Sequence, residues 1–195
     1  MLTLSKTTYE QFPVYVNFTT SMEKNETISS YTTASINVDT GANSKTESIL
    51  SDSISGTKIE IILKTNTAVA RHKITTKVAT STGNYFESEL YVEVNENSDD
   101  YFEKQPYEEF LISNDFTHDL VDGNTIASRT VLATRVSDGV DVTSSVIELS
   151  AIAGKGILVG VKAGTNEETY LIQINIVDSD GSKFQKNIVM LVYEI

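Results

Sequence analysis

The sequence predicts an all-β protein made of two tandem copies of one antiparallel β-sandwich, and three observations lead to this prediction. The composition is rich in Thr, Ser, Val, Ile and Tyr, which favour strands over helices. Several segments alternate apolar and polar residues with the period of two that is typical of a half-buried strand. An internal repeat divides the chain into two similar halves.

The repeat is clearest between residues 9–28 and 107–126, which read YEQFPVYVNFTTSMEKNETI and YEEFLISNDFTHDLVDGNTI. Their matching residues are 98 positions apart. The same offset, without a gap, relates further pairs along the chain: Gly41 and Gly139, Gly56 and Gly154, Lys64 and Lys162, Ile74 and Ile172, Gly83 and Gly181, Phe86 and Phe184. We therefore predict two modules, residues 1–97 and 98–195, each long enough to bury a modest core.

Each module is predicted to hold six or seven short strands separated by turns. In the segment 28–38 the alternating stripe is Ile28, Ser30, Thr32, Ala34, Ile36 and Val38, which we expect to lie on one face of a half-buried strand, as its copy at 126–136 does. Further stripes occur in residues 59–63, 72–78 and their copies. Gly83 and Gly181 lie where tight hairpins need a residue with positive φ.

Composition excludes several classes of function. The net charge of −12 argues against direct nucleic-acid binding, because phosphate contacts require clustered Lys and Arg. No apolar run approaches the roughly 20 residues of a membrane helix. The chain has no cysteine, hence no disulfide and no thiolate site. Nucleotide-binding and hydrolase motifs are absent, and we predict no enzyme activity, no cofactor and no metal.

Three places have residues that could carry chemistry, and each also has a structural explanation. His72 lies on the apolar stripe of its strand, where a packed histidine is expected rather than a ligand. His118 is next to Asp119, a pairing that a general base or a metal site could use, but module 1 has Thr20 and Ser21 at these positions. The segment Asp178–Gly181 begins like a calcium loop but lacks the Glu at the twelfth position, so a plain hairpin is expected.

The last strand differs between the copies. In module 2 one face carries Phe184, Ile188, Met190 and Val192, and the other carries Val189, Leu191 and Tyr193, so both faces are apolar. Module 1 has Tyr91, Glu93 and Asn95 on that second face. A sandwich strand needs one apolar face only, so Val189, Leu191 and Tyr193 either contact a partner, by addition to a neighbour's sheet, or are covered by the same chain.

The modules resemble the immunoglobulin-like modules of tailed-bacteriophage virion proteins, in particular phage fibre–tail adaptor proteins. The residues that carry the resemblance are Phe102-Glu103-Lys104-Gln105-Pro106, the FTHDLVDGNTI segment at 116–126 and YLIQINIVDSDGSKFQ at 170–185. Phe116 stands where such modules often have Trp, and module 1 has Asn25 in place of Gly123. The resemblance covers nearly all of module 2 and module 1 more weakly.

The resemblance implies two immunoglobulin-like sandwiches in a structural subunit of a virion, made in the host cytoplasm. It implies an adaptor role in the tail or neck, in which a ring of copies contacts tail, connector, fibre or capsid proteins. The alternatives are a capsid decoration or head-fibre protein, and a receptor- or carbohydrate-binding module. No nucleic-acid or membrane partner is expected.

Overall fold

The computed structural model describes residues 2–66, 68–95 and 100–194. The chain divides into two compact units, Met1–Glu96 and Asn97–Ile195, which we call module 1 and module 2. The predicted boundary between residues 97 and 98 lies outside the described residues.

Described residues of module 1 form seven strands and one short helix. In chain order these are β1 Leu2–Thr7, β2 Pro13–Asn17, β3 Ile28–Asn37, α1 Lys45–Ser48, β4 Ile49–Ser55, β5 Lys58–Leu63, β6 Ala70–Thr80 and β7 Tyr85–Asn95. β3, β5 and β6 lie on the alternating segments 28–38, 59–63 and 72–78 that predicted them. The four-residue helix was not predicted, because it is too short to show a helical period.

Module 2 repeats this order of elements. Its described strands and helix are β8 Asp100–Lys104, β9 Phe110–Asp115, β10 Ile126–Arg135, α2 Thr143–Val146, β11 Ile147–Ala153, β12 Gly156–Val161, β13 Glu168–Asp178 and β14 Lys183–Val192. Each element begins within one residue of the position that the offset of 98 gives, as β10 begins at 126 and β3 at 28. The sequence repeat is therefore a repeat of structure.

Each module is a sandwich of a four-stranded and a three-stranded sheet. The strand orders are β1-β7-β6-β3 with β2-β5-β4 in module 1, and β8-β14-β13-β10 with β9-β12-β11 in module 2. Neighbouring strands are antiparallel, except that the first strand of each module pairs in parallel with the last. This seven-stranded arrangement is an immunoglobulin-like sandwich, and the predicted all-β tandem fold is confirmed.

The core of each module lies between its two sheets and is made mostly of β-branched residues. In module 1, Ile59, Ile61 and Leu63 of β5 and Ile74 of β6 are fully buried. In module 2 the same positions are Ile157, Val159, Val161 and Ile172, again fully buried. Each such side chain contributes about 1.5–3 kcal/mol of transfer free energy, so the core accounts for most of the stability of a module without disulfides.

One expected buried face is turned outward. A β-bulge interrupts the pairing of β3 with β6 between Ile28 and Ser30, and the same bulge occurs in β10. The extra residue reverses the alternation, because neighbouring residues of a strand point to opposite faces. Thr33 and Ser35 are consequently buried, while Ile36 and Val38 of the predicted stripe are exposed. The prediction that this stripe is the core face is wrong beyond the bulge.

The two predicted hairpins are present. Gly83 and Gly181 have φ of 89° and 85°, in the left-handed region that non-glycine residues rarely adopt. Each hairpin joins the two central strands of a four-stranded sheet, β6 to β7 and β13 to β14. Each glycine therefore lies in the turn that sets the pairing of the last two strands of its module.

Candidate partner-binding surface

Val189, Leu191 and Tyr193, the residues predicted to contact a partner, lie on or directly after the last strand of module 2. Alternate residues of this strand are buried in the core, with Met190 and Val192 fully enclosed. The three predicted residues therefore point away from the core, onto the outer face of the four-stranded sheet, and each is half-buried.

The part of β14 that carries Val189 and Leu191 is paired on both sides. Its residues pair with β13 on one side, as Leu171 with Val189, and with β8 on the other, as Tyr101 with Val189. From Ile188 to Val192 both backbone edges are thus hydrogen-bonded within the module, so another strand cannot pair with this part of β14. At Val189 and Leu191 the predicted addition to a neighbour's sheet is therefore wrong, and a contact at these residues uses side chains.

The neighbours of these residues form an apolar row across the sheet. Val189 lies between Leu171 of β13 and Tyr101 of β8, which is 73% exposed. Tyr193 forms a side-chain hydrogen bond with Glu103, which raises the pKa of the Tyr193 hydroxyl. We call Tyr101, Leu171, Val189, Leu191 and Tyr193 the front patch.

The corresponding face of module 1 carries charges. The Lys73 ammonium lies 2.5 Å from the Glu89 carboxylate, and Lys77 lies 3.0 Å from Glu87 on the neighbouring strand. These ion pairs join β6 and β7, on the face that points away from the core. Cross-strand pairs of opposite charge stabilise a sheet modestly and leave its outer face well solvated.

Module 2 replaces these charges with uncharged residues. The exchanged pairs, at the offset of 98, are Arg71 with Thr169, Lys73 with Leu171, Lys77 with Asn175, Glu87 with Gln185, Glu89 with Asn187 and Glu93 with Leu191. The exchange runs the other way at the sheet edge, where Glu103 replaces Ser5. The front patch thus lies on a sheet face where six charged residues of module 1 are replaced by uncharged residues.

The outward stripe of β10 extends this face. Leu132 is 38% exposed, and Val136, directly after the strand, is 58% exposed. The period of two in this segment predicts both residues on the buried face of the strand. A bulge leaves that period intact on each side and changes only its phase, so the sequence pattern gives no sign of the reversal.

A second apolar surface, which the sequence analysis missed, lies on the outer face of the three-stranded sheet of module 2. Leu111 of β9 and Leu149 of β11 are 59% and 45% exposed and flank Gly160 of β12. A Cβ at Gly160 would lie 3.0 Å from Cγ of Leu149 and 3.6 Å from Cδ2 of Leu111, so both leucines lie over this glycine. With Leu158 on the same strand they form the back patch.

The same face of module 1 is more polar. Tyr15 donates a hydrogen bond of 2.7 Å from its hydroxyl to Glu60, and the Lys58 ammonium lies 5.9 Å from the centre of its ring. At the positions of Tyr15 and Glu60, module 2 has Ser113 and Leu158. The back patch could have been found from sequence by comparing outward positions of the two copies strand by strand.

Two of the three places with candidate chemistry, His72 and Asp178, have structural partners. His72 is packed in the core as predicted, with Nδ1 at 2.9 Å from the Ser44 hydroxyl. The Asp178 carboxylate accepts the backbone N–H groups of Asp180 and Ser182, as a hairpin carboxylate does. His118 is exposed, and in the described part of the chain no group of three or more His, Asp or Glu residues is placed to hold a metal ion.

In each module the loop before β3 or β10 is hydrogen-bonded to the hairpin between the last two strands. The donor and acceptor groups of this corner contact differ between the two modules. In module 1 the Glu26 carboxylate accepts hydrogen bonds from Thr80, Thr82 and Asn84, which hold the pKa of Glu26 at about 2. In module 2 the amide of Asn124 donates to Asp178 and Asp180. Donor and acceptor have exchanged places across one contact.

Neither helix in the described residues has the length to cross a membrane, since each consists of a single turn. No family model matches the chain, and no curated protein matches it.

Solved structures of tandem immunoglobulin modules are similar to the whole chain. A chimeric titin Z1Z2 carrying an exogenous decorin peptide has a TM-score of 0.35 at 10% identity, covering 100% of this chain and 94% of that one. The titin domains Z1Z2 in complex with telethonin have a TM-score of 0.31 at 10% identity, with 100% and 93% covered. The N-terminal Ig1-2 module of the Drosophila receptor protein tyrosine phosphatase DLAR has a TM-score of 0.31 at 9% sequence identity, covering 99% of this chain and 95% of that one. The fold assignment rests on strand order, and these likenesses carry no argument about function.

Proposed function

We propose that this chain is a non-enzymatic structural subunit of a tailed-phage virion, where it connects neighbouring particle proteins as a tail or neck adaptor. The observation that carries the proposal is that module 2 has an uncharged apolar patch on each of its two outer faces. Module 1, built on the same fold, has charged or polar residues at most of those positions. The phage setting is supported by the resemblance of residues 102–106, 116–126 and 170–185 to virion modules.

Two patches on opposite faces of one sandwich suit a ring of identical copies. A ring is held by a heterologous contact, in which one surface of each copy binds a different surface of the next. The front patch and the back patch supply two such surfaces. A chain with a net charge of −12 repels its own copies, so their contact surface must be depleted in charge, as both patches are.

The test is to give the front patch the residues of module 1. Leu171→Lys with Leu191→Glu installs the side chains that Lys73 and Glu93 have at the same sheet positions, so the fold tolerates them. The wild type is expected to have a mass by light scattering that is a multiple of 21.4 kDa, at low and at physiological salt, and the variant to be a monomer. Apolar contacts are little affected by salt, unlike contacts between charges.

Tyr107→Glu is the matched control, because Tyr107 is 86% exposed in module 2 and lies outside both patches. This variant is expected to keep the wild-type mass. A monomeric wild type at all concentrations contradicts the ring.

The virion setting is tested separately by mass spectrometry of purified particles from cells that encode the chain. A fixed number of copies per particle is expected. Absence from the particles, together with binding to a glycan array, favours the carbohydrate-binding alternative and contradicts the proposal.

A further inference from the structure

The first strand of each module has a buried lysine at its end, Lys6 as the residue before the last of β1 and Lys104 as the last of β8. Lys6 and Lys104 are each 3% exposed, although an ammonium group is costly to remove from water. Nζ of Lys104 donates to two backbone carbonyls, those of Gln105 and Ala163. Nζ of Lys6 donates to the Thr7 carbonyl at 2.8 Å, but its second partner is a side chain, Oδ1 of Asn66 at 2.9 Å.

Asn66 connects this amine to a buried imidazole. Its Nδ2 lies 3.4 Å from Nε2 of His72 and 3.2 Å from the Glu47 carbonyl oxygen. His72 is 1% exposed, and its other nitrogen faces the Ser44 hydroxyl at 2.9 Å. An amine, a carboxamide, an imidazole and a hydroxyl therefore follow one another in an unbroken line inside module 1.

The environment prepares the amine as a nucleophile. Burial lowers the pKa of Lys6 to about 8, while the charge of Glu10 opposes this shift. Roughly a tenth of Lys6 is then the neutral, nucleophilic amine at pH 7. Burial also lowers the pKa of His72, an effect that Lys6 adds to and Glu47 opposes. His72 is thus a neutral imidazole at pH 7, able to accept a proton.

We propose that Lys6 and Asn66 react with each other to form an intramolecular amide crosslink. Nζ of Lys6 attacks Cγ of Asn66, and the new Nζ–Cγ bond replaces the Cγ–Nδ2 bond. Nε2 of His72 receives a proton from the attacking amine and delivers it to Nδ2, which leaves as ammonia. Atoms balance without any further reactant, since an amine and a carboxamide give a substituted amide and ammonia.

The released ammonia would have a route out of module 1. A cleft of about 240 Å³ is lined by Asn66 and His72, together with Glu47 and Lys64. The bond joins the end of β1 to the segment before β6, across 60 residues of chain. Because β1 is an edge strand, held by one neighbour, this crosslink is placed where it prevents the first strand from separating.

Module 2 supplies a natural control. At the positions of Asn66 and His72 it has Gly164 and Tyr170, so Lys104 has neither a carboxamide to attack nor an imidazole beside it. The hydroxyl of Tyr170 accepts the backbone N–H of Thr165 instead. The crosslink is therefore specific to module 1.

Intact mass spectrometry of the full chain tests the proposal. After incubation at pH 9, above the pKa of Lys6, the wild type is expected to be lighter by one ammonia, and its digest to contain a peptide joining Lys6 to Asn66. Lys6→Arg and Asn66→Ala are expected to have the mass calculated from their sequences. Lys104→Arg is expected to lose ammonia as the wild type does.

Two results would overturn the crosslink. One is a wild type that keeps its calculated mass. The other is a loss of ammonia that persists in Lys6→Arg, because asparagine can also lose ammonia by cyclising onto its own backbone. For the wild type we expect the rate to rise roughly fivefold between pH 7 and pH 8, as the neutral fraction of Lys6 does.

His72→Tyr tests the proton transfer, since Tyr170 shows that this position of the fold accommodates tyrosine. This variant is expected to lose ammonia at least about tenfold more slowly, in line with the effect of removing a general acid–base group. An unchanged rate would overturn the role of His72 in the reaction.

Discussion

The two modules share a fold and differ in what they present to their surroundings. Inward positions are filled by similar residues, as Ile74 and Ile172 show. Outward positions of the four-stranded sheet carry Lys73 and Glu89 in module 1 and Leu171 and Asn187 in module 2. Core packing constrains the first set, because a core tolerates little change of volume. The second set can diverge, so the difference between outer faces indicates where the functions of the two modules part.

The corner contact teaches a related point. Glu26 accepts hydrogen bonds in module 1, and Asn124 donates them at the same place in module 2. The contact is kept while its chemistry is exchanged, because a buried polar group must be satisfied but either partner can supply the donor. Only the module 1 version uses a carboxylate on the loop.

The largest expected effect tests the shared core. Ile74→Ala and Ile172→Ala each remove three carbon atoms from a fully buried position, and each is expected to destabilise its own module by about 2–5 kcal/mol. Hydrogen exchange of the full chain, read separately for the two modules, measures both. A large effect in one module and none in the other would show that the cores are not equivalent.

The next effect is a pH dependence that the Glu26 contact gives to the stability of module 1. The folded-state pKa of Glu26, about 2, lies below its ordinary value of 4.5, so its carboxylate stabilises module 1 above pH 4.5. That stabilisation is lost as the pH falls from 4.5 toward 2, because the unfolded chain takes up the proton first. In Glu26→Gln the free energy of unfolding of module 1, measured by urea titration, is expected to depend less on pH over this range.

The exposed Glu148 provides the control for this titration, as Glu148→Gln should leave the acid response of module 1 unchanged. An equal acid response in wild type and Glu26→Gln would contradict the assignment of this contact.

The smallest effect concerns the charged outer face. Lys73→Leu with Glu89→Asn gives module 1 the residues of module 2 and removes an ion pair that is partly exposed. We expect the free energy of unfolding of module 1 to change by less than about 1 kcal/mol, because such pairs contribute little. Chemical denaturation measures it. A decrease of several kcal/mol in the free energy of unfolding would mean that these charges stabilise the fold of module 1 and do not only solvate its outer face.

Sequence patterns alone predict the fold class, the repeat and the positions of β3, β5, β6, β7 and their copies. These depend on composition, on a period of two and on glycines such as Gly83 and Gly181, all of which are local properties. The same patterns also identify Val189, Leu191 and Tyr193 as the outward face of the last strand, since alternation along a strand depends on nothing else.

Tertiary structure decided what local patterns do not encode. The parallel pairing of the first and last strands closes the second edge of β14 from Ile188 to Val192, beside the edge paired with β13, and excludes strand addition there. The bulge in β10 turns Leu132 outward, and the back patch forms only because β9 and β11 both lie beside Gly160. Lys6, Asn66 and His72 also lie together only because the fold brings their separate segments into contact. Each of these contacts joins residues far apart in the chain, and their geometry is fixed by the packing of the whole module.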